Sequence, residues 1–165
     1  MSDVLDATTG GKHIWHGDMK DANRVVFADR RAEPEGTIDA QPNWSVTPDV
    51  RADYRELPFR DATFDLICFD PPHRVSEGGM ETISGIIERK YGVLNAETWQ
   101  ADLHDAFVEL WRVLRGGGVL TMKWNDAMRE SGNVLDQLPE TPLYGTNTAK
   151  PDTETKWWVF HKERE

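Results

Sequence analysis

Cysteine is almost missing from this chain. Cys68 is the single one in 165 residues, which excludes an intrachain disulfide framework and a cysteine-built zinc site. Its neighbours Leu66, Ile67 and Phe69 mark it as a small buried hydrophobe rather than a nucleophile. Long apolar runs are missing too: nothing approaches the roughly 20 residues that span a bilayer. The opening MSDV lacks the basic-then-apolar pattern of a secretory leader. Positive charge is scarce, with 19 Lys and Arg against 29 Asp and Glu and a net charge of −10. That excludes a broad electrostatic grip on phosphates, though not a local basic patch. His13, His16, His104 and His161 show no metal-ligand spacing with acids. No nucleophile–base arrangement, internal repeat or interdomain linker stands out. The expectation is one soluble, cytoplasmic domain over residues 1–165, with no membrane partner.

What is present is enough apolar material for a packed core: 38% hydrophobic residues and 7 tryptophans. Residues 64–69 (FDLICF) form a nearly continuous apolar run. A run without a polar face suits the centre of a parallel sheet covered on both sides. It ends in Asp70-Pro71-Pro72-His73, where two prolines stop the ladder. The strand therefore delivers a carboxylate, a proline carbonyl and an imidazole to the carboxyl edge of the sheet, where open α/β sheets bind ligands.

Before it, Val4-Leu5-Asp6-Ala7 runs into Thr8-Thr9-Gly10-Gly11 and reads as a strand followed by a glycine turn. That turn is a plain connection or a loop whose bare backbone approaches a ligand. His13 to His16 could open a helical turn behind it. Residues 24–31 (RVVFADRR) read as a second strand with Asp29 at its tip. An acid about 20 positions after a glycine loop is where ribose hydroxyls are held in dinucleotide-type folds. Residues 32–48 are a Pro- and Gly-rich loop with room for a short helix. Residues 49–54 read as a third strand.

Residues 74–96 hold Gly78-Gly79 and an apolar scatter that fits a short helix near 80–90. This segment is a lid or substrate loop, or a surface crossover. Residues 97–114 are the strongest helix, with Trp99, Leu103, Phe107, Leu110, Trp111 and Leu114 at helical spacing. Asn95 is the expected N-cap and Gly116-Gly117-Gly118 the expected stop. The aromatic stripe reads as core packing. Residues 119–124 (VLTMKW) form a fifth strand, a short polar helix fits 127–138, and residues 143–144 and 156–161 close as a hairpin.

The series DATTGGKHIWH, FADRR, ADYRELPF, FDPPH and VLRGGGVLTMKWN resembles the class I, Rossmann-like S-adenosylmethionine-dependent methyltransferases over essentially the whole chain. Asp70-Pro71-Pro72-His73 is similar to the Asp-Pro-Pro-aromatic motif of the amino-methyltransferases, and the short chain to stand-alone phage methyltransferases. This sequence departs from the pattern twice: the glycine motif is reduced to Gly10-Gly11, and His73 takes the place of Tyr, Phe or Trp.

The resemblance implies a mostly parallel sheet with a C-terminal antiparallel hairpin strand and helices on both faces. It implies S-adenosyl-L-methionine as cofactor and S-adenosyl-L-homocysteine as product. Asp6, Ala7, Thr8 and Gly10 would surround the methionine portion, Asp29 the ribose, and Asp53 with Tyr54 the adenine. Asp70 would stand at the junction with the acceptor. Asp70 and the Pro71 carbonyl would accept the hydrogens of an exocyclic amine, with Pro72 shaping the turn and His73 stacking on the base. DNA adenine-N6 is the first expected acceptor; RNA and cytosine-N4 follow. The remaining readings are methylation of a protein or small-molecule amine, and a non-catalytic cofactor-binding regulatory or anti-restriction module. A nucleic acid is the expected partner and a homodimer is compatible. A basic patch near 88–90 or 112–115 would favour nucleic acid.

Overall fold

The computed structural model describes residues 2–146 and 155–164. Strands β1 (Val4–Asp6) and β2 (Val25–Asp29) pair in parallel. β3 (Val50–Arg51) adds to the far side of β2, and β4 (Phe64–Phe69) to the far side of β1. The chain then leaves the sheet through β5 (Val75–Ser76), a 3-10 turn (Gly79–Thr82), α1 (Ile86–Tyr91) and β6 (Leu94–Asn95). It returns through α2 (Trp99–Val113) into β7 (Leu114–Asn125). α3 (Ser131–Leu135) and the pair β8 (Tyr144–Gly145) and β9 (Thr155–His161) complete the fold. Among the described residues the main sheet runs β3-β2-β1-β4-β7-β9-β8. β9 is antiparallel to β7 and β8, and the other neighbours are parallel. This is the expected sheet with its terminal hairpin; the hairpin's connection, residues 147–154, lies outside the described residues.

Side-chain alternation explains the layers. Leu5, Ile67, Phe69, Leu120 and Met122 turn to one face and pack with Leu103, Phe107 and Leu110 of α2. Burying each such Leu or Phe stabilises the fold by about 1.5–3 kcal/mol. Val4, Val25 and Phe27 turn to the other face, where Trp15, Ala22 and Leu66 pack on them.

Several elements differ from the sequence reading, each for a local reason. No helix forms after β1. Trp15 turns inward instead, its ring 5.5 Å from Phe27 in a T-shaped contact, and a 3-10 turn follows at Gly17–Asp21. The third strand stops at Arg51, because the Asp53 carboxylate accepts the Arg55 backbone N–H and turns the chain. Residues 32–48 hold no helix. Glu33 and Val46 pair there over a small core of Ile38, Trp44 and Val46. Near 80–90 the helix divides into the 3-10 turn and α1, and the helix expected over 127–138 contracts to α3.

Thr98, not Asn95, is the N-cap of α2; the Asn95 Oδ1 accepts the Glu97 N–H at 2.8 Å instead. Gly116–Gly118 do not stop the helix but lie inside β7. Between the pairs Phe64–Leu114 and Leu66–Val119, β4 advances two residues and β7 five. The glycines absorb that mismatch as a bulge. Gly117 adopts φ +84°, and a Cβ on Gly118 would lie 2.8 Å from the Arg115 carbonyl oxygen.

Candidate active site

The sheet order reverses direction between β1 and β4, and at such a switch point the strand ends diverge into a crevice. A cavity of about 620 Å³ fills it, reaching from Thr8–Gly11 and Asp29 across Asp70–His73 to Lys123 and Asn125. That volume is in the range of small-molecule and cofactor sites. Residues 74–96 form one wall. β5 and β6 pair in parallel at their base, and Gly79, Ile87, Tyr91 and Gly92 line the cavity. A Cβ on Gly92 would lie 3.2 Å from Pro72 Cγ, so the end of α1 sits directly against the prolines.

At the β1–β2 end, the acids support the loop as much as they face the cavity. Asp6 is buried beneath it: Oδ1 accepts the Thr8 N–H at 3.1 Å and Oδ2 accepts Trp15 Nε1 at 2.6 Å. Burial pushes its pKa up to about 7 against those two hydrogen bonds, with Asp70 and Asp29 adding to the rise. Asp29 accepts the Gly10 N–H at 3.0 Å on Oδ2 and the Arg31 N–H at 2.9 Å on Oδ1. The Arg31 guanidinium lies on the same carboxylate, Nε 3.3 Å from Oδ1. Its Nη1 reaches on to the carbonyls of Arg89 (3.0 Å) and Lys90 (3.2 Å) in α1. Thr9 lines the cavity, and its Oγ1 is buried without a partner among the described residues.

Asp53 is forked by Arg55, with contacts of 2.9 Å and 2.8 Å, and that pairing holds its carboxyl below the ordinary value. Arg55 also reaches Asp102 of α2 at 2.6 Å. Tyr54 lies edge-on to Phe69, and burial pushes its hydroxyl up to about 12.

At the β4–β7 end, Lys123 Nζ donates to Asp70 Oδ2 at 2.7 Å. His73 Nε2 lies 3.0 Å from Asp70 Oδ1, but its N–H is not aligned on that oxygen, which makes no hydrogen bond among the described residues. Burial alone would raise the Asp70 pKa. His73 and Lys123 outweigh it, so the carboxyl is held below its ordinary value and Asp70 is a carboxylate at neutral pH. His73 packs edge-on against Trp124, ring centres 5.1 Å apart. The two ends are joined directly: the Asp70 backbone N–H donates to Thr8 Oγ1 at 2.7 Å.

Of the residues singled out in the sequence, Ala7, Thr8, Gly10, Asp29, Tyr54, Asp70, Pro71, Pro72 and His73 line one cavity. Asp6 and Asp53 are not on its wall: the first lies under the loop, and the second is engaged by Arg55. Sequence reasoning placed Asn125 at the carboxyl edge, where it lines the cavity, and passed over Lys123 and Arg31. Lys123 did carry a signal, as the one charge in the apolar strand VLTMKW. Arg31 carried none for its reach to α1, because those two carbonyls lie 58 and 59 residues away.

The fold has counterparts among solved structures, all at low identity. The 1,6-didemethyltoxoflavin-N1-methyltransferase of Burkholderia thailandensis, solved with 1,6-didemethyltoxoflavin and S-adenosylhomocysteine bound, matches with a TM-score of 0.57 and 15% identity. The match covers 97% of this chain and 70% of that one. The N-methyltransferase NodS of Bradyrhizobium japonicum matches at 0.54 and 13%, over 99% and 86% of the two chains. A possible exported protein of Bordetella parapertussis matches at 0.54 and 13%, over 97% of this chain but 61% of that one, so this chain spans less than two thirds of its length. No protein-family model matches the sequence, and no curated protein matches it. The likeness shows the fold: this chain has the Rossmann-like architecture of the class I methyltransferases.

Proposed function

We propose that the protein is an S-adenosylmethionine-dependent N-methyltransferase that modifies an exocyclic amino group of a nucleic-acid base. DNA adenine-N6 is the first acceptor to test, followed by RNA and cytosine-N4. The observation that carries this reading is Asp70. It is a half-buried carboxylate at the end of β4, at the switch point, in a cavity continuous with the Asp29 end. The cavity fits the cofactor by its volume, by the bare backbone at Gly10 and Gly11, and by the buried Thr9 hydroxyl left without a partner. Thr9 and the Gly10 loop would hold the methionine portion, Asp29 the ribose, and Tyr54 the adenine. Asp6 shapes the loop from below, and Asp53 sets the turn that presents Tyr54.

When bound, the sulfonium supplies a methyl group that is already electrophilic. The protein's own task is then to position and polarise the acceptor. An exocyclic amine is a poor nucleophile because its lone pair is delocalised into the ring. Asp70 Oδ1, without a hydrogen bond among the described residues, would accept one amino hydrogen, and the Pro71 carbonyl the other. Both acceptors favour a pyramidal nitrogen and stabilise the positive charge that grows on it. As the new bond forms, one amino proton leaves to Asp70 or on to solvent. Lys123 holds the carboxylate's orientation, and His73, packed between Asp70 and Trp124, would offer a ring edge to the base. A base taken from a duplex would first be flipped out.

The rim of the cavity supports a nucleic-acid partner despite the net charge of −10. Arg89 and Lys90 make no ion pair among the described residues, and Ile87 and Tyr91 beside them are exposed. The other candidate patch is consumed: Arg112 pairs with Glu109 and Asp61, and Arg115 with Asp65. The decisive experiment is transfer from methyl-labelled S-adenosylmethionine to unmethylated DNA and to total RNA, digested to nucleosides. Label in N6-methyladenine or N4-methylcytosine, absent with Asp70→Ala, supports the reading. Tight cofactor binding without label in either pool would sink it and favour a protein, small-molecule or binding-only role.

A further inference from the structure

Lys123 is the part of the site that neither the motif nor the cofactor explains. It stands on β7, one of the two strands that flank the cavity's acceptor end, in an otherwise apolar run. An ammonium has three N–H donors. One is given to Asp70 Oδ2 at 2.7 Å, and the others have no partner among the described residues. Beside it, Asp70 Oδ1, with His73 Nε2 3.0 Å away, is a buried acceptor without a hydrogen bond among the described residues. The pair therefore presents an acceptor and a donor side by side on one wall of the cavity.

We infer that Lys123 is a specificity-determining residue, and that Asp70 and Lys123 together read an amidine edge: an amino group whose carbon also carries a ring nitrogen acceptor. Asp70 takes the amino hydrogen, and Lys123 donates to the adjacent ring nitrogen. This rests on the base-methylation reading and narrows it. Adenine (N6 beside N1) and cytosine (N4 beside N3) both have such an edge. A lysine side chain or other alkyl amine has none. It would also meet a second ammonium beside a carboxylate whose charge is already balanced, and like charges at that distance repel. The acceptor class is thus a heteroaromatic amine with a hydrogen-accepting neighbour.

The test removes one ring nitrogen. Mixed-sequence single-stranded oligonucleotides are prepared with adenine, 1-deazaadenine or 7-deazaadenine, and likewise with cytosine or 3-deazacytosine, and kcat/KM is measured for each. For the base that is methylated, the wild type should lose at least about tenfold when the adjacent ring nitrogen becomes C–H, the cost of leaving a charged donor unpaired. 7-Deazaadenine, which keeps N1, should behave like adenine. Lys123→Met should be slower on every substrate, and its natural-to-deaza ratio should fall to within about threefold of unity. Lys123→Arg, still a donor, should keep the discrimination.

A wild type indifferent to the ring nitrogen overturns the inference while base methylation stands; that comparison needs no variant, so a misfolded Lys123→Met leaves it intact. A Lys123→Met ratio equal to the wild type's overturns it as well. If no oligonucleotide is methylated while S-adenosylhomocysteine binds, the underlying functional reading fails instead, and this inference falls with it.

Discussion

The two ends of the cavity are built on opposite plans. At the β1–β2 end the acids are satisfied from within. Asp6 is held by Thr8 and Trp15, Asp29 by Gly10 and Arg31, and Asp53 by Arg55. These contacts fix the loop and the strand tips. At the β4–β7 end the satisfaction is incomplete. Asp70 Oδ1, His73 Nδ1 and the spare donors of Lys123 have no partner among the described residues. Buried polar atoms without partners are costly, and they persist where a ligand supplies the missing hydrogen bonds. Apart from the Thr9 hydroxyl, the first end is satisfied from within, and the second holds the groups that the proposed acceptor would engage.

The sharpest way to break this comparison is Asp70→Ala. Removing the acceptor should lower turnover by about 10²–10³-fold and leave S-adenosylhomocysteine affinity within about threefold, read by single-turnover transfer and by calorimetry. Asp29→Ala should do the reverse. The cofactor Kd should rise by about 10- to 100-fold, the loss of hydrogen bonds to a charged group, while the rate at saturating cofactor stays near that of the wild type. If the two variants gave the same phenotype, the division into cradle and acceptor wall would fail.

Asp6 tests the cradle's stability. Its folded pKa of about 7 lies above the unfolded value of 3.8, so the folded state keeps a proton that the unfolded state releases. The stabilisation is whole below about pH 4 and is lost as pH rises through about 7. Wild-type Tm should therefore fall from pH 5 to pH 8, by about 2–4 °C for each kcal/mol lost. Asp6→Asn should flatten that slope; a slope unchanged by the substitution would show that Asp6 titrates normally. The smallest effect is expected from Arg31→Ala, which frees the Arg89 and Lys90 carbonyls. Hydrogen exchange in residues 86–92 should quicken a few-fold while β4 and β7 stay protected. Equal exchange would mean that Arg31 does not hold α1 in place.

Much of this was legible in the chain. The apolar run FDLICF became β4 with its predicted bounds, because a strand covered on both sides needs no polar face and two prolines must end it. Asp70 fell at a strand end for the same reason, and Asp29 because the apolar run VVFA gives way to charge there. Other features were hidden because several local solutions were open to the same residues. Three consecutive glycines permit a helix stop or a bulge, and the register of β4 on β7 chose the bulge. Asn95 could have capped α2, but it was taken into β6. Asp53 lay where an adenine-binding acid was expected, and Arg55, two residues on, engaged it first.

The sequence by itself determined the strand order's raw material, the long helix, and the placing of Asp29 and Asp70 at strand ends. Hydrophobic periodicity and proline geometry are local, and they act before any tertiary contact forms. Only the tertiary structure decided which charges meet. Lys123 pairs with Asp70 across 53 residues, and Arg31 ties Asp29 to α1 across nearly 60. Such pairings depend on which strands lie side by side, and no local pattern encodes that adjacency.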